Sequence, residues 1–518
     1  MIDPRSSTVD GVLRRSAGRT PEAVAVRFGD RQWTYRELDE AVSRGAAYLL
    51  SQGLSRGDRV AAYGKNSDAY LIAFLACARA GLVHVPLNFA LTGGELSYLI
   101  EDSGASIVLA DPALAGNLDG VWSGPVVPLR PQTLPERARN ERVEGFPEPV
   151  EGTFLDVVRS GDLPDELPEV NDADLVQLLY TSGTTSKPKG AMMTHRALVS
   201  EYLSCLVALD LAPDDNPLHV MPLYHSAQLH VFVMPSLAIG GTNTILETPN
   251  PADVLQRLSR DGHRSFFAAP TLWVAMANHE SLDELDLAGV EKCYYGASIM
   301  PGPVLERLQQ KMPNSGFYNC FGQSEIAPLA TVLRPEEHAE RPDSAGRPVL
   351  LVELRVVDES GVDVPVGEPG EVVYRSPQLC TGYWNKPEES EQAFAGGWFH
   401  SGDLVRMDEE GFIFVVDRIK DVINTGGVMV ASREVEDALF SHPAVAEAAV
   451  IGVPDAKWIE AIHAVVVPKG EVTVEELTAY ARERLAPFKV PKSIEFADSL
   501  PRNGSGKILK RELRPSAG

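Results

Sequence analysis

The chain has 518 residues, of which 44% are hydrophobic and 23% are charged, and its net charge is −25. This length is sufficient for a large domain with a complete core and a smaller companion domain. The acidic balance argues against nucleic acid as a partner, because nucleic-acid-binding proteins carry basic surfaces. There is no transmembrane-length apolar run, and residues 1–15 lack the apolar core of a secretory signal. We therefore expect a cytoplasmic protein without a transmembrane segment.

The first third of the chain alternates helical and strand signals. A Thr-x-x-Glu capping box at Thr34 precedes a helical run from Leu38 to Leu50, and Thr92 begins a second box before a helix that ends near Gly104. Further predicted elements are buried strands at Val60–Tyr63, Val83–Leu87 and Ser106–Ala110 and a helix at Ala69–Arg79. Such alternation is typical of an α/β sheet architecture.

Two changes of pattern divide the rest of the chain. Residues 124–170 are rich in Pro and Glu and lack periodicity, which predicts a long surface connection. Residues 371–417 carry short β segments with Gly-rich turns, and a compact α/β module follows. Its predicted elements are a helix at Ser432–Phe440, strands at Ala446–Val453 and Ala461–Val467, and a helix at Val474–Leu485. We expect a large N-terminal domain of packed α/β sheets with a β-rich part over residues 1–416, a junction at 417–420, and a small α/β domain over 421–518.

The segment from Tyr180 to Gly190 carries the clearest chemical signal. It reads Tyr-Thr-Ser-Gly-Thr-Thr-Ser-Lys-Pro-Lys-Gly and follows an apolar run, residues 175–179, that predicts a buried strand. Its glycines allow positive φ and expose backbone N–H groups, while hydroxyls and Lys189 add donors. These features predict a concave anion site suited to a polyphosphate. The spacing differs from that of a Walker A loop, and a merely flexible Gly/Ser/Thr loop is the alternative.

Several further motifs occur in a fixed order along the chain. They are Met221–His225, Tyr295–Ser298, Tyr318–Glu325, Gly397–Asp403, Asp417–Asp421 and Pro501–Lys507. With the Tyr180–Gly190 segment, they resemble the superfamily of adenylate-forming enzymes, which includes acyl-CoA synthetases, nonribosomal peptide adenylation domains and firefly-type luciferases. The resemblance spans nearly the whole chain, from about Thr20 to Leu513, and is greatest to fatty acyl-CoA synthetases. It implies ATP, Mg²⁺ and CoA as reactants and cofactors, and a small C-terminal domain that is mobile.

The resemblance also implies roles for individual residues. Contacts to the nucleotide and the thiol are expected from Thr181, Ser182, Gly183, Thr184, Thr185, Lys189, Gly296, Ala297, Ser298, Asn319, Ser324, Asp403, Arg418, Gly426 and Gly427. Glu325, with Thr181, is expected to bind Mg²⁺, because a carboxylate behind a Gly turn is a hard oxygen ligand. Asp403 ends a Ser-Gly-Asp turn and suits vicinal ribose hydroxyls. Without the resemblance, Glu325 and Asp403 could equally be solvated surface carboxylates.

Three residues are expected to act in the reaction. Lys507 lies in a basic stretch, and the matching lysine of the family bridges the substrate carboxylate and the α-phosphate. Lys420 corresponds to the hinge about which the small domain rotates between half-reactions. His225 corresponds to a histidine that borders the acyl channel. Two departures, Met429 for Asn and Ser432 for Pro, fall on the loop that lines the thiol path in the family.

The identity of the acid is read from the Met221–His225 motif. Amino-acid-activating relatives carry an Asp at the position of His225, so an amino-acid substrate is not expected. Between Phe266 and Met300 there is no Arg, and Lys292 is the sole Lys, so a second substrate carboxylate has no evident partner there. An apolar monocarboxylate is favoured, with a medium- or long-chain fatty acid first and an aryl acid second.

Other interpretations of the function are retained. An aryl-CoA ligase, an acyl-AMP ligase that loads a separate carrier protein, a luciferase-like oxidative enzyme and a silent binding module are the alternatives. The presence of Lys507, Glu325 and Asp403 argues against the silent module. No carrier-protein domain follows the last motif, so the thiol is expected in trans, as CoA or on a carrier protein. A homodimer is left open.

Overall fold

The computed structural model describes residues 6–131, 152–181, 187–298, 300–455, 458–502 and 508–514. The strands, in chain order, are β1 (Val24–Phe28), β2 (Arg31–Thr34), β3 (Arg59–Tyr63), β4 (Val83–Leu87), β5 (Ala105–Ala110), β6 (Val126–Pro128), β7 (Leu175–Thr181), β8 (Lys189–Thr194), β9 (Leu218–His219), β10 (Asn243–Ile245), β11 (Ser265–Ala268), β12 (Lys292–Gly296), β13 (Gly316–Gly322), β14 (Leu329–Leu333), β15 (Arg347–Pro348), β16 (Glu353–Val357), β17 (Gly370–Arg375), β18 (Phe399–Met407), β19 (Ile413–Arg418), β20 (Ile423–Thr425), β21 (Val428–Val430), β22 (Val445–Asp455), β23 (Ile459–Pro468) and β24 (Ser493–Phe496).

The α-helices, in chain order, are α1 (Val9–Arg19), α2 (Tyr35–Ser51), α3 (Asp68–Ala80), α4 (Gly93–Ser103), α5 (Phe154–Ser160), α6 (His195–Ala208), α7 (Met234–Ile239), α8 (Pro251–Arg260), α9 (Pro270–Ala277), α10 (Gly302–Lys311), α11 (Pro387–Ala393), α12 (Ser432–Phe440), α13 (Val474–Arg484) and α14 (Lys510–Leu513). A π-helix spans Ala227–Val233. Among the described residues, no helix is both long and apolar enough to cross a membrane.

The strands of the described residues form four sheets. Six strands lie in the order β6-β5-β3-β4-β7-β8, and nine in the order β15-β14-β13-β12-β11-β9-β10-β1-β2. Both sheets are parallel in their interiors. The nine-stranded sheet has antiparallel strands at both edges, and the six-stranded sheet has one, β8, at one edge. Four further strands, β16-β17-β18-β19, form an antiparallel sheet, and the last sheet is β21-β20-β23-β22 with β24 beside β23. The predicted α/β class with a β-rich part is confirmed.

Helix α3 shows why the two large sheets pack as layers. Every residue from Asp68 to Ala80 is buried, which is the pattern of a helix enclosed on all sides rather than of a surface helix. Its two buried charges are both paired. Asp68 accepts hydrogen bonds from the Arg31 guanidinium at 2.7 Å and from the Trp33 indole at 2.9 Å, and the Arg79 guanidinium donates to the Asp10 and Asp39 carboxylates. Helix α3 contacts β3 and β4 of the six-stranded sheet and β1 of the nine-stranded sheet, so it packs between the two.

Two predictions for the N-terminal part are wrong in detail. Thr92 precedes α4 but makes no side-chain capping bond, so the second capping box does not form. The stretch predicted as a surface connection contains β6 and α5. Helix α5 begins at a capping box between Thr153 and Asp156, and Phe154 is fully buried. The periodicity over this short helix is too brief to be recognised among its Pro- and Glu-rich neighbours.

The change of sheet lies beside the predicted junction. Strand β19 ends the four-stranded sheet at Arg418, and β20 begins the last sheet at Ile423. Asp417 contacts the part of the chain that follows the junction. Its Oδ2 accepts hydrogen bonds from the Ser432 N–H at 2.5 Å and from the Ser432 hydroxyl at 2.8 Å. The end of β19 thus anchors the start of α12. Rotation about residues 417–420 remains a prediction.

Candidate functional site

Glu325 lies in a 3-10 turn, Ser324–Ile326, that follows β13. The residue is 7% exposed, and its Oε1 accepts a hydrogen bond from the Thr181 hydroxyl at 3.1 Å. The Tyr383 hydroxyl donates to the same oxygen at 3.2 Å. The structure thus brings together Glu325 and Thr181, the two residues proposed to bind the metal, from the ends of two different sheets.

Lys189 joins this cluster from the other strand of the hairpin. Strands β7 and β8 pair so that Lys189 lies opposite Thr181, and the Lys189 ammonium is 5.0 Å from the centre of the Tyr383 ring. A cation over an aromatic face is attracted by the quadrupole of the ring. Burial and the Glu325 carboxylate raise the pKa of Tyr383, so its hydroxyl remains a donor. We call Thr181, Lys189, Glu325 and Tyr383 the phosphate-side cluster.

Sequence reasoning missed Tyr383. It lies on residues 378–384, which we call the strap and which connects the Glu325 turn to the hairpin. The Cys380 N–H donates to the Glu325 carbonyl at 2.8 Å, and the Trp384 N–H donates to the Gly190 carbonyl at 2.8 Å. The available signal was weak: a Gly-Tyr-Trp triplet between β segments. Aromatic residues at such a turn more often serve packing than chemistry.

Several predicted residues lie outside the described part of the chain. They are Ser182, Gly183, Thr184, Thr185 and Lys507. The described residues that flank both segments approach the same helix, α4. The Tyr98 hydroxyl donates to the Pro188 carbonyl at 3.0 Å, and an Arg511 guanidinium nitrogen lies 3.9 Å from a Glu95 carboxylate oxygen. The chain just after the phosphate loop and the chain just after Lys507 therefore approach one side of the molecule.

The Met221–His225 motif meets the Glu325 turn through Ser226. The Ser226 and Ser324 hydroxyl oxygens are 3.1 Å apart. His225 is half-buried, and its Nδ1 accepts a hydrogen bond from the Ala227 N–H at 3.3 Å. The π-helix begins at this point, and such a widened turn is frequent at functional sites. Ser226, the neighbour of His225, therefore lies against the Glu325 turn, and a role of His225 in the reaction remains a proposal.

Gly296, Ala297, Ser298 and Asn319 lie at the carboxyl edge of parallel β12 and β13. A Cβ on Gly296 would be 2.2 Å from the Cys320 carbonyl oxygen, so no larger residue fits there. Ala297 has φ of +66°, and both Ala297 and Ser298 are exposed. The Asn319 amide donates to the Ser344 carbonyl at 3.0 Å. In open α/β sheets this edge is where ligands bind, which supports the predicted nucleotide contacts.

Asp403 and Arg418 form a pair across β18 and β19. The Arg418 Nε donates to Asp403 Oδ1 at 2.8 Å, and Asp403 is 8% exposed. Burial lowers the pKa of Arg418, but the Asp403 carboxylate, with a smaller contribution from Glu325, raises it overall. The ion pair thus lies within electrostatic reach of the phosphate-side cluster. The carboxylate retains acceptor capacity for hydroxyl groups beyond this one bond.

Lys420 and the Gly426–Gly427 pair lie on the C-terminal side of the junction. Lys420 is in a 3-10 turn, and its carbonyl accepts a hydrogen bond from the Arg514 guanidinium at 3.3 Å. Gly426 and Gly427 form the exposed turn between β20 and β21, with φ of +66° and +86°. Met429, one of the two departures from the family pattern, is 61% exposed beside them. Contacts of this turn with a thiol remain a proposal.

The donor set near Glu325 fits Mg²⁺ that is shared with a substrate. Among the described residues, no three His, Cys, Asp or Glu side chains come together as a metal-binding group. Mg²⁺ commonly takes only one or two protein oxygens and completes its octahedron with phosphate oxygens and water. Glu325 Oε1 and the Thr181 hydroxyl provide such a pair at the edge of the predicted phosphate site.

Comparison with known proteins agrees with this geometry. A feruloyl-CoA synthase from Amycolatopsis sp. is 39% identical over 97% of this chain and 98% of its own length. A long-chain-fatty-acid–CoA ligase from Escherichia coli O6:H1 is 32% identical over 99% of this chain and 95% of its own. Among solved structures, ATP-bound MatB from Rhodopseudomonas palustris has a TM-score of 0.86 at 29% identity, covering 98% of both chains. The o-succinylbenzoate CoA synthetase of Bacillus subtilis with its acyl-adenylate has a TM-score of 0.85 at 29% identity, covering 97% of both.

A model of the AMP-binding enzyme family matches residues 13–384, and a model of the AMP-binding enzyme C-terminal domain matches residues 434–507. The adenylate-forming chemistry predicted from the motifs is confirmed at this level, namely that of an AMP-forming acyl-CoA synthetase that uses ATP, Mg²⁺ and CoA. With well over half of its length matched, the chain belongs to the family of AMP-binding enzymes.

Proposed function

We propose that this enzyme activates an apolar aryl acid of the feruloyl type and transfers the acyl group to CoA. The observation that supports the adenylation step is the convergence of Thr181, Lys189 and Glu325 around Tyr383. A medium- or long-chain fatty acid is the second candidate, and the order of the two differs from that expected from the sequence. The feruloyl-CoA synthase is the more similar relative, at 39% identity against 32% for the fatty-acid ligase.

The reaction divides into two displacements. The acid's carboxylate oxygen attacks the α-phosphorus of ATP and pyrophosphate leaves, and then the thiol sulfur attacks the acyl carbonyl and AMP leaves. Thr181 and Lys189 bind phosphate oxygens, and Glu325 with Thr181 would hold Mg²⁺, which supplies positive charge beside the phosphates. Asp403 accepts from the ribose hydroxyls, and the hydrogen bond from Arg418 orients that carboxylate. Lys507 stabilises the charge that develops at the α-phosphate.

The packing behind the π-helix supports an acid of limited length. Phe232 of the π-helix stacks on Phe267 of β11 with ring centroids 4.4 Å apart, and Tyr294 of β12 lies 5.0 Å from Phe232. All three side chains are buried. Rings in direct contact leave no passage for an alkyl chain between them. We infer that the acyl site ends at this stack, which suits a compact aryl group better than a long chain.

An acid panel tests the proposal. Pyrophosphate exchange into ATP is measured with ferulate, unsubstituted cinnamate, straight-chain fatty acids and amino acids, and AMP release is then measured with CoA, with a holo-carrier protein and with neither. We expect aryl acids to give the highest kcat/KM and CoA to be the acceptor. Phe232→Ala should shorten the stack and raise the relative kcat/KM of longer chains. A preference for long fatty acids in the unaltered enzyme would reverse the two candidates, and activity with amino acids alone would refute both.

A further inference from the structure

A buried carboxyl group outside the phosphate-side cluster lies on α6. Glu201 is fully buried, and its Oε1 accepts hydrogen bonds from the Leu329 N–H at 2.9 Å and from the Cys205 thiol at 3.3 Å. Its Oε2 accepts from the side-chain amide of Gln378. Leu329 begins β14, directly after the segment that carries Glu325. Glu201 therefore holds one end of that segment.

Gln378, the first residue of the strap, holds the same segment from the other side. It is also fully buried, and its Nε2 donates to the Leu329 carbonyl at 3.1 Å and to the Ile326 carbonyl at 3.4 Å. Its Oε1 accepts from the Ser204 hydroxyl at 2.6 Å. The amide of Gln378 is thus fixed in one orientation, with its oxygen towards α6 and its nitrogen towards Glu201 and the backbone after Glu325.

We propose that Glu201 and Gln378 are positioning residues that act through Glu325 and fix its carboxylate for Mg²⁺ and ATP. The proposal rests on the proposed function, but it assigns a role to groups that touch neither substrate nor metal. The path is continuous, because the strap that begins at Gln378 donates from Cys380 to the Glu325 carbonyl and from Tyr383 to the Glu325 side chain.

The physical reason is that hydrogen bonds are directional. Apolar packing would fill this space at a lower desolvation cost than a buried carboxyl group, but it fixes the orientation of the Glu325 segment less tightly than hydrogen bonds do. Groups that orient a metal ligand from behind commonly affect metal affinity or activity by about 10–100-fold when they are changed. The Glu201–Gln378 pair is linked in this way to both the main chain and the side chain of Glu325.

Glu201→Gln tests the pair, because it preserves size and the bond to Leu329 but sets an amide N–H₂ against the amide N–H₂ of Gln378. Gln378→Met, which removes the donors, is the second variant. We expect each to raise the Mg²⁺ concentration for half-maximal pyrophosphate exchange by about 10-fold, with the KM of the acid little changed. Leu198→Ala on the same helix is the control, since it opens a cavity in the core but keeps the side chains of Glu201 and Gln378.

The combined variant separates a positioning role from a structural one. If Glu201 acts through Glu325, adding Glu201→Gln to Glu325→Gln should lower activity by less than about 2-fold, because the two changes share one effect. A folded Glu201→Gln or Gln378→Met enzyme with an unaltered Mg²⁺ requirement would overturn the proposal, as would full additivity with Glu325→Gln. Absence of exchange by the unaltered enzyme with every acid would instead reject the proposed function.

Discussion

At the scale of single residues, Glu201 also contributes to the dependence of stability on pH. Burial raises the pKa of its carboxyl to about 8, whereas a glutamate in an unfolded chain has a pKa of about 4.3. Between these values the folded protein binds a proton that the unfolded chain has released. The contribution of this group to stability is therefore complete below the unfolded pKa and is lost as pH rises through the folded pKa.

We expect the free energy of unfolding of the unaltered protein to fall relative to that of Glu201→Gln as pH rises from about 5 to 8. The limiting slope for one group is about 1.4 kcal/mol per pH unit. Urea unfolding at several pH values provides the measurement. Burial lowers the pKa of His84 and of His230 to about 3, which adds an opposite slope below pH 6.5 in both proteins. Because the histidines contribute equally to both proteins, their slope cancels in the difference between the two unfolding free energies. If the two free energies changed in parallel with pH, the raised pKa of Glu201 would be contradicted.

Residues in local motifs were predictable, and residues joined only by the fold were not. Thr181, Glu325 and Asp403 stand in short patterns whose order the chain shows, and the fold brings Thr181 and Glu325 within hydrogen-bond distance. The roles of all three residues remain predictions. Glu201 and Gln378 are 177 positions apart, and neither lies in a motif that indicates a charged or amide role. A Glu within an otherwise helical stretch reads as a surface residue, so its burial is visible only once β14 and the strap pack on α6.

At the scale of elements, helices α2 and α4 are each preceded by a threonine, but only one of the two threonines caps its helix. At α2 the Thr34 hydroxyl accepts from the Glu37 N–H at 3.2 Å, and the Glu37 carboxylate accepts from the Thr34 N–H at 2.8 Å. At α4 the hydroxyl of Thr92 caps nothing. The Thr-x-x-Glu pattern was present in both, so the pattern alone did not decide the outcome. In α4 the box spans Gly93 and Gly94, whose backbones have a wider choice of conformation.

Thr34→Ala and Thr92→Ala make a matched pair for this difference. Removal of a functioning N-cap typically costs about 1 kcal/mol, so Thr34→Ala should lower the free energy of unfolding by about that amount. Thr92→Ala should change it by less than about 0.5 kcal/mol. Urea unfolding of both variants at one pH compares them directly. Equal losses would show that Thr92 caps its helix in solution.

At the scale of the whole molecule, hydrogen bonds from Ser432 to Asp417 and from Arg433 to the Val415 carbonyl link the two sides of the junction at residues 417–420. Asp417 binds the start of α12 through Ser432, and the Lys510 ammonium donates to the Ser432 hydroxyl at 2.6 Å. Ser432, where relatives often carry Pro, thus connects the end of β19 with the C-terminal segment. A rotation of the small domain has to release these bonds or carry them with it. In the module after the junction, α12, α13, β22 and β23 were well predicted, because the two helices have clear boundaries and the two strands are mostly apolar.

Lys420→Pro is expected to hold the enzyme in one of its two arrangements. Proline fixes φ near −65° and biases Ile419 towards extended conformations, so a backbone that must change its dihedral angles cannot do so. If the geometry for adenylation is the one that proline permits, pyrophosphate exchange should persist while CoA-dependent thioester formation collapses. The two half-reactions are measured separately, and circular dichroism verifies the fold.

Lys420→Ala is the control for the side chain and should affect both half-reactions much less. An exposed linker residue without hinge function would tolerate proline in both half-reactions. A Lys420→Pro protein that folds and retains full overall turnover would therefore remove the hinge assignment.

The predicted phosphate loop joins two antiparallel strands, β7 and β8, and the next helix, α6, begins only at the far end of β8. Many nucleotide sites place phosphate at a helix N-terminus, where the macrodipole provides a fixed partial positive charge of about half a unit. No such dipole follows this loop directly. The charge of the polyphosphate is left to side chains such as Lys189 and to a divalent cation, both of which are more readily screened or withdrawn. Nucleotide affinity should therefore respond more steeply to ionic strength and to chelators than it does where a helix end holds the phosphate.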